Sequence, residues 1–252
     1  MAQLECVNIG KNFGALAALE GVSFQLHDQE ILGLIGPNGA GKTTLFNCII
    51  GLEKPTRGKV MFNGTNITGL KPHRICRLGL VKTSQIMEPF KALTVGENVL
   101  VGALYGGMLP MKKAFAETER ILDFVGLTPE KDKLSSAISV PARRRLELAR
   151  ALATGAKVLL LDENMAGLNP HEIDDALRLL GKIRDLGKSL IVVEHIMRAV
   201  MGISDRIIVL NYGVKIAEGL PKDIATDNTV IEAYFGDKKS FLGRSERQIS
   251  HG

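Results

Sequence analysis

The chain has 252 residues, 45% of them hydrophobic and 23% charged. These proportions exclude a largely disordered chain, a collagen, a coiled coil and a disulfide miniprotein. A formal net charge of +5, from 32 basic against 27 acidic residues, is a mild bias that selects no partner class.

The opening of the chain reads as short strands at Leu4 to Ile9, Val22 to Leu26 and Glu30 to Ile35, from their alternating or continuous apolar positions. A further strand, Gly58 to Phe62, ends at an Asn63-Gly64 turn. Helical patterns run from about Leu93 to Ala153, with breaks at Gly106-Gly107, Pro110, Gly126 to Pro129 and Pro141. Alternation then returns: strand Val158 to Leu161, helix Pro170 to Leu186, strand Leu190 to Val193, helix Met197 to Met201, strand Arg206 to Leu210. Strands alternating with helices predict an α/β domain with a mostly parallel sheet. The expected organisation is a core from residues 1–88 and 156–236, a helical insertion near 89–155, and a polar, basic, flexible tail from Asp237 to Gly252. The weakly charged stretch Asn98 to Met111 is too short to span a membrane and is broken by glycines and Pro110. No basic or apolar leader pattern opens the chain, so no signal peptide is expected. Cys6, Cys48 and Cys76 are odd in number and far apart, which predicts free thiols in a reducing compartment.

Gly36-Pro37-Asn38-Gly39-Ala40-Gly41-Lys42-Thr43 fits the phosphate-loop pattern G-x-x-x-x-G-K-[ST], between an apolar strand and an apolar helix starting at Thr44. The glycines let backbone N–H groups turn inward around phosphate oxygens, and the helix N-terminus adds partial positive charge. Lys42 is then placed for the β- and γ-phosphates and Thr43 for Mg²⁺. The motif does not choose between adenine and guanine.

Two further strands end in polar residues. Val158 to Leu161 runs into Asp162-Glu163, and the strand to Val193 runs into Glu194-His195. In an open α/β sheet, ligands bind at the carboxyl ends of strands. One acid is enough for Mg²⁺, and adjacent carboxylates repel, so Asp162 is assigned to the metal and Glu163 to polarising the attacking water. His195 is assigned to the γ-phosphate or the water. Glu194 is expected on the opposite face by strand alternation, with a structural role. Basic residues are scattered and aromatics make up 5%, so no nucleic-acid partner is expected. Asp123-Phe124-Val125-Gly126 matches a GTPase D-x-x-G only superficially, because Gly126 reads as a helix C-cap.

Together these motifs resemble the ATP-binding cassette (ABC) family over about residues 3 to 236. Lys82-Thr83-Ser84-Gln85 is similar to its Q-loop, which makes Gln85 a metal and water contact. Asp162-Glu163 matches the Walker B pair, Ala166-Gly167-Leu168-Asn169 the D-loop, and His195 the switch histidine. Phe13 falls where the family places an aromatic against adenine; by its residues alone it fits a core side chain equally well. Leu93 to Gly102, Ala166 to Pro170, Met201 to Ile207, Ile216 to Gly219 and Val230 to Gly236 resemble ATPase subunits of branched-chain amino acid importers more closely, with urea- and lipopolysaccharide-type subunits also similar. The resemblance implies a P-loop NTPase core of RecA type, an N-terminal antiparallel β subdomain and an inserted α-helical subdomain. It implies ATP and Mg²⁺ as ligands and a cytoplasmic, peripheral place on the inner membrane. The implied partners are a second ATPase subunit, membrane permease subunits that would contact the chain around Ile86 to Leu93, and, indirectly, a periplasmic binding protein.

One motif departs from the family. Where Leu-Ser-Gly-Gly-Gln is general, this chain reads Ile138-Ser139-Val140-Pro141-Ala142. In the family this segment reaches the other subunit's γ-phosphate. Pro141 has no N–H to give a phosphate, though its fixed φ suits a first helical turn. Val140 adds a branched side chain where close approach is needed. An impaired trans site favours a heterodimer, with a homodimer as the alternative. Arg143, Arg144 and Arg145 follow at once; three cations there oppose the helix dipole, and pairing with the subunit's own surface is the reading favoured for Arg143 and Arg145.

Overall fold

The computed structural model describes residues 2–83 and 89–235. Strands β1 (Ala2–Phe13) and β2 (Leu16–His27) form a long antiparallel ribbon, followed by β3 (Ile31–Ile35) and helix α1 (Lys42–Ile49). β4 (Arg57–Phe62) pairs with β1 and, across the Asn63-Gly64 turn, with the short β5 (Thr65–Asn66). The resulting antiparallel sheet has the order β2-β1-β4-β5. β1 is longer than its alternation suggested because bulges interrupt its register between Cys6 and Ile9, and Asn8 there adopts φ 52; a bulge breaks the period of two without ending the strand.

Helix α2 (Pro72–Leu78) leads into β6 (Leu80–Lys82). The helical stretch follows: α3 (Val95–Val101), one π-turn over Gly102–Gly106, α4 (Met111–Val125), a 3-10 turn at Thr128–Glu130, and α5 (Val140–Ala153). The breaks at Gly106-Gly107, Pro110 and Gly126 to Pro129 fall where expected. Gly126 closes α4 in the left-handed conformation, with its N–H on the Asp123 and Leu122 carbonyls, as a C-cap and not as part of a nucleotide motif. Pro141 lies inside the first turn of α5 and so does not break it; at that position a missing N–H leaves no helical bond unmade.

The chain then returns through β7 (Val158–Asp162), α6 (Pro170–Asp185), β8 (Ser189–Val193), α7 (Met197–Ile203), β9 (Arg206–Asn211), β10 (Val214–Gly219), α8 (Pro221–Ile224) and α9 (Asn228–Phe235). The second sheet has the order β10-β9-β3-β8-β7-β6. It is parallel except for the β10 edge. β3, β7 and β8 are buried along their whole length, which explains their continuous apolar runs.

One apolar core lies between this sheet, α1 and the antiparallel sheet, around Phe46, Leu32 and Val60. A second joins its other face to α3, α4, α5 and α6, around Leu146, Leu159 and Ile183. The fold therefore fixes β3, β7 and β8 side by side, with their carboxyl ends on one edge. The three thiols are free, and burial raises the pKa of Cys6 and takes that of Cys48 to about 11. Among the described residues, no helix is long and apolar enough to cross a membrane.

Candidate nucleotide site

The phosphate loop connects β3 to α1. Gly36 has φ 153, and a Cβ there would meet the Leu210 carbonyl oxygen at 2.1 Å. Gly41 has φ 101 and forms the left-handed N-cap of α1, a conformation that excludes most side chains. The loop thus packs its backbone directly on β9, and its residues Asn38 to Thr44 line the cavity beyond. Lys42 is buried and folds back, its Nζ donating to the Gly36 carbonyl at 2.6 Å and the Pro37 carbonyl at 3.0 Å. Burial lowers its pKa, while Glu163 and Asp162 nearby oppose that shift.

A cavity of about 870 Å³ lies over this loop. It is lined by Asn38 to Thr44, Phe13, Leu16, Ala17, Ala18, Tyr212, Glu163 and His195. Phe13 ends β1 with 45% of its surface exposed, and Lys11 places its ammonium 4.7 Å from the ring centroid. Phe13 is thus at the cavity rim and not in a core. Leu16 and Tyr212 share that rim, and the sequence reading missed both. Tyr212 was legible only as the first residue of a Tyr212-Gly213 hairpin turn, where both residues have positive φ.

Asp162 ends β7 and is 1% exposed. Lys82, at the end of the neighbouring β6, brings its Nζ to 2.9 Å from Asp162 Oδ2. The approach is an ion pair without hydrogen-bond alignment, since neither buried carboxylate oxygen of Asp162 has a hydrogen-bond partner. A buried carboxylate beside a phosphate loop, ion-paired with Lys82 but with neither oxygen hydrogen-bonded, suits a hard divalent cation. The donor set of Asp162 and the Thr43 hydroxyl therefore fits Mg²⁺. Lys82 also reaches Asn47 Oδ1 at 3.4 Å and the Phe46 ring at 5.8 Å. Its role had no signal in the sequence beyond its neighbourhood to Gln85. Gln85 itself, expected to contact metal and water, lies outside the described residues.

Glu163 has φ 53, a left-handed conformation that costs a non-glycine residue about 1–2 kcal/mol. Its N–H bonds the Val193 carbonyl at 2.9 Å, and its Oε1 is 2.8 Å from His195 Nε2. The structure brings together the phosphate loop, Asp162, Glu163 and His195, as their strand ends required. Glu194, expected on the opposite face with a structural role, does not line the cavity that His195 lines. It is buried, its Oε1 accepts the Met165 N–H at 2.7 Å, and burial raises its pKa to about 7 against the pull of that N–H. Tyr234 of α9 is half-buried behind the loop; burial raises its hydroxyl pKa, and a hydrogen bond with the Gly36 backbone opposes the rise.

Ser139 lies apart from this cluster as the N-cap of α5, its Oγ accepting the Ala142 N–H at 3.4 Å. Val140 is 40% exposed. Arg143 turns onto its own approach, donating to the Ile138 carbonyl at 3.1 Å and the Ser136 carbonyl at 2.8 Å. Arg145 lies 3.8 Å from Asp175. Arg144 is buried and donates to the Ala166 carbonyl at 3.1 Å. Ala166 and Gly167 are exposed, and Asn169 caps α6 reciprocally with Glu172.

A family profile described as ABC transporter matches residues 19–166. The high-affinity branched-chain amino acid transport ATP-binding protein BraF of Pseudomonas aeruginosa is 38% identical over 93% of this chain and 98% of its own length. The corresponding protein LivG of Escherichia coli is 39% identical over 89% and 94%. The ADP conformation of an ATP-binding cassette of an ABC transporter superimposes with a TM-score of 0.85 at 32% identity, covering 94% of this chain and all of that one.

Proposed function

The chain belongs to the ABC transporter family, and from that premise we propose that it is an ATP-hydrolysing subunit of a membrane importer for branched-chain amino acids. The observation that carries the hydrolytic part is the 2.8 Å contact of Glu163 with His195, past the ends of neighbouring strands β7 and β8 on one side of the phosphate-loop strand β3. The identities to BraF and LivG support the transported class.

ATP enters the cavity with its base against Phe13 and its phosphates on the amides of Gly39 to Thr44. The arriving phosphates displace Lys42 from the Gly36 and Pro37 carbonyls, which had satisfied its charge; a phosphate is the stronger partner because both groups are ionised. Thr43 and Asp162 would hold Mg²⁺, which neutralises charge developing on the β- and γ-oxygens. Glu163 orients the attacking water and draws its proton. His195, hydrogen-bonded to Glu163, fixes that carboxylate and presents the ring to the γ-phosphate.

The partner chain's Ser-containing segment would close this site, and this chain's Ser139 would close the partner's. Val140 and Pro141 weaken the second arrangement: one amide is missing and a branched side chain fills the approach. A loss of one charge-assisted bond is on the order of 1.5–3 kcal/mol, so a heterodimer with an intact partner is the favoured assembly. The permease contact is assigned to the segment up to Leu93 and the adjoining cavity of about 290 Å³ between β6, the π-turn and α5, lined by Phe90, Tyr105 and Arg150. The likeness to BraF and LivG supports a peripheral position on the cytoplasmic face of the membrane. ATP-driven leucine uptake into vesicles carrying the assembled system tests the proposal: uptake is expected with the wild-type chain and lost with Lys42→Ala, and uptake that persists with Lys42→Ala overturns it.

A further inference from the structure

The three residues after Glu163 are each held by a different buried charged side chain. Asn164 donates from Nδ2 to Glu147 Oε2 at 3.5 Å. The Met165 N–H donates to Glu194 Oε1 at 2.7 Å. The Ala166 carbonyl accepts from Arg144 Nη2 at 3.1 Å. Glu147, Glu194 and Arg144 are 7%, 4% and 6% exposed, and Arg144 Nη1 also lies 3.7 Å from Glu147 Oε2. Arg144 and Glu147 come from α5, the helix capped by Ser139; Glu194 is the residue next to His195.

Stability alone does not account for this cluster. Burying three charges is expensive, and apolar side chains of similar volume would hold the same space as well or better. Apolar packing cannot, however, fix a backbone amide and carbonyl in one orientation. The segment being fixed begins at Glu163, whose left-handed backbone persists only where its surroundings over-determine it.

We propose that Glu194, Arg144 and Glu147 are positioning residues for hydrolysis: they clamp residues 164–166, set Glu163 against His195, and tie that setting to the α5 N-terminus that serves the partner's site. The clamp rests on the reading of Glu163 as the group that polarises water. Its two anchors on α5 make the geometry of one nucleotide site depend on how the neighbouring site is engaged. Arg144 Nε is buried without a hydrogen-bond partner, so the Ala166 carbonyl is met by one end of a guanidinium that keeps a donor unused.

The test compares Glu194→Met, Glu194→Gln and Glu163→Gln in the full-length chain within its assembled transport complex, with nucleotide affinity and steady-state hydrolysis measured together. A displacement of about 1 Å at a reacting group costs on the order of 100-fold. Glu194→Met is therefore expected to lower kcat by about 10- to 100-fold with KM for ATP within twofold. Glu194→Gln, whose amide oxygen still accepts from Met165, restores kcat to within about threefold of wild type, which a role in charge or bulk packing alone would not give. Wild-type kcat in Glu194→Met, or a Glu194→Gln as impaired as Glu194→Met, overturns the clamp. Should Glu194→Met not fold, Arg144→Met with unchanged nucleotide affinity and reduced kcat supports it, and Arg144→Met with unchanged kcat refutes it. Glu163→Gln separates the two levels: retained turnover there refutes the assignment of Glu163, whereas a silent Glu163→Gln beside fully active Glu194 and Arg144 variants refutes only the clamp.

Discussion

Lys82→Met isolates the electrostatics of Asp162. Methionine keeps most of the methylene stem and removes the ammonium, with its contacts to Asp162, Asn47 and the Phe46 ring. Asp162 is then a carboxylate 1% exposed, with neither oxygen hydrogen-bonded and the 2.9 Å ion pair gone. Removing one partner of a buried pair costs about 3–5 kcal/mol. Lys42 still contributes positive potential at Asp162, so the lower end, about 3 kcal/mol, is expected. For a chain of this size that lowers Tm by roughly 6–12 °C. The assay is thermal unfolding of wild type and Lys82→Met in EDTA, and again with Mg²⁺ and a non-hydrolysable ATP analogue. The cation replaces the lost charge at Asp162, so the difference in Tm is expected to shrink by more than half in the second condition. An unchanged Tm in EDTA refutes the claim that the pair is structural. A difference as large with Mg²⁺ and nucleotide as without them refutes the assignment of Asp162 to the metal.

Three further outcomes follow from the same geometry. Gly36→Ala drives a Cβ to 2.1 Å from the Leu210 carbonyl oxygen, so titration with a fluorescent ATP analogue is expected to show at least a tenfold loss of affinity, or no folded protein; unchanged affinity contradicts the packing of the loop on β9. Glu194, whose pKa is raised from 4.5 to about 7 by burial, makes wild-type stability fall as pH rises from 4.5 to 7, because the unfolded chain releases its proton first; the loss totals about 3 kcal/mol above pH 7. Urea midpoints of Glu194→Gln relative to wild type should therefore rise between pH 5 and pH 8, and a flat difference refutes the raised pKa of buried Glu194. Val140→Gly combined with Pro141→Gly should raise ATPase of the chain alone about ten- to a hundredfold, and no increase removes the reason to expect a heterodimer.

The sheet core was legible because β3, β7 and β8 are buried on both faces and so read as apolar runs, with turn or helix signals between them. Asp162, Glu163 and His195 followed from where those runs stop, and Lys42 from the phosphate-loop pattern after β3. What the sequence concealed has physical causes. β6 has three residues and β5 two, too few for any period to register. β10 is an edge strand whose partly exposed residues do not alternate cleanly, and α2 is a seven-residue basic helix with one buried side chain. The contacts of Lys82 with Asp162, of Glu194 with Met165 and of Arg144 with Ala166 join residues far apart in sequence; no local pattern encodes them. Glu194 shows the limit most clearly: alternation turned it away from the cavity, but no local pattern named Met165 as its partner.

The central claim is that Glu163, held by His195, activates water against a nucleotide bound on the phosphate loop. Its most direct measurement is single-turnover hydrolysis of ATP by the assembled complex carrying Glu163→Gln, with nucleotide binding measured in the same sample. The account predicts ATP affinity within a few-fold of wild type and hydrolysis slowed by at least about a hundredfold. Hydrolysis at the wild-type rate with full occupancy would contradict it and move the water-activating role to another group.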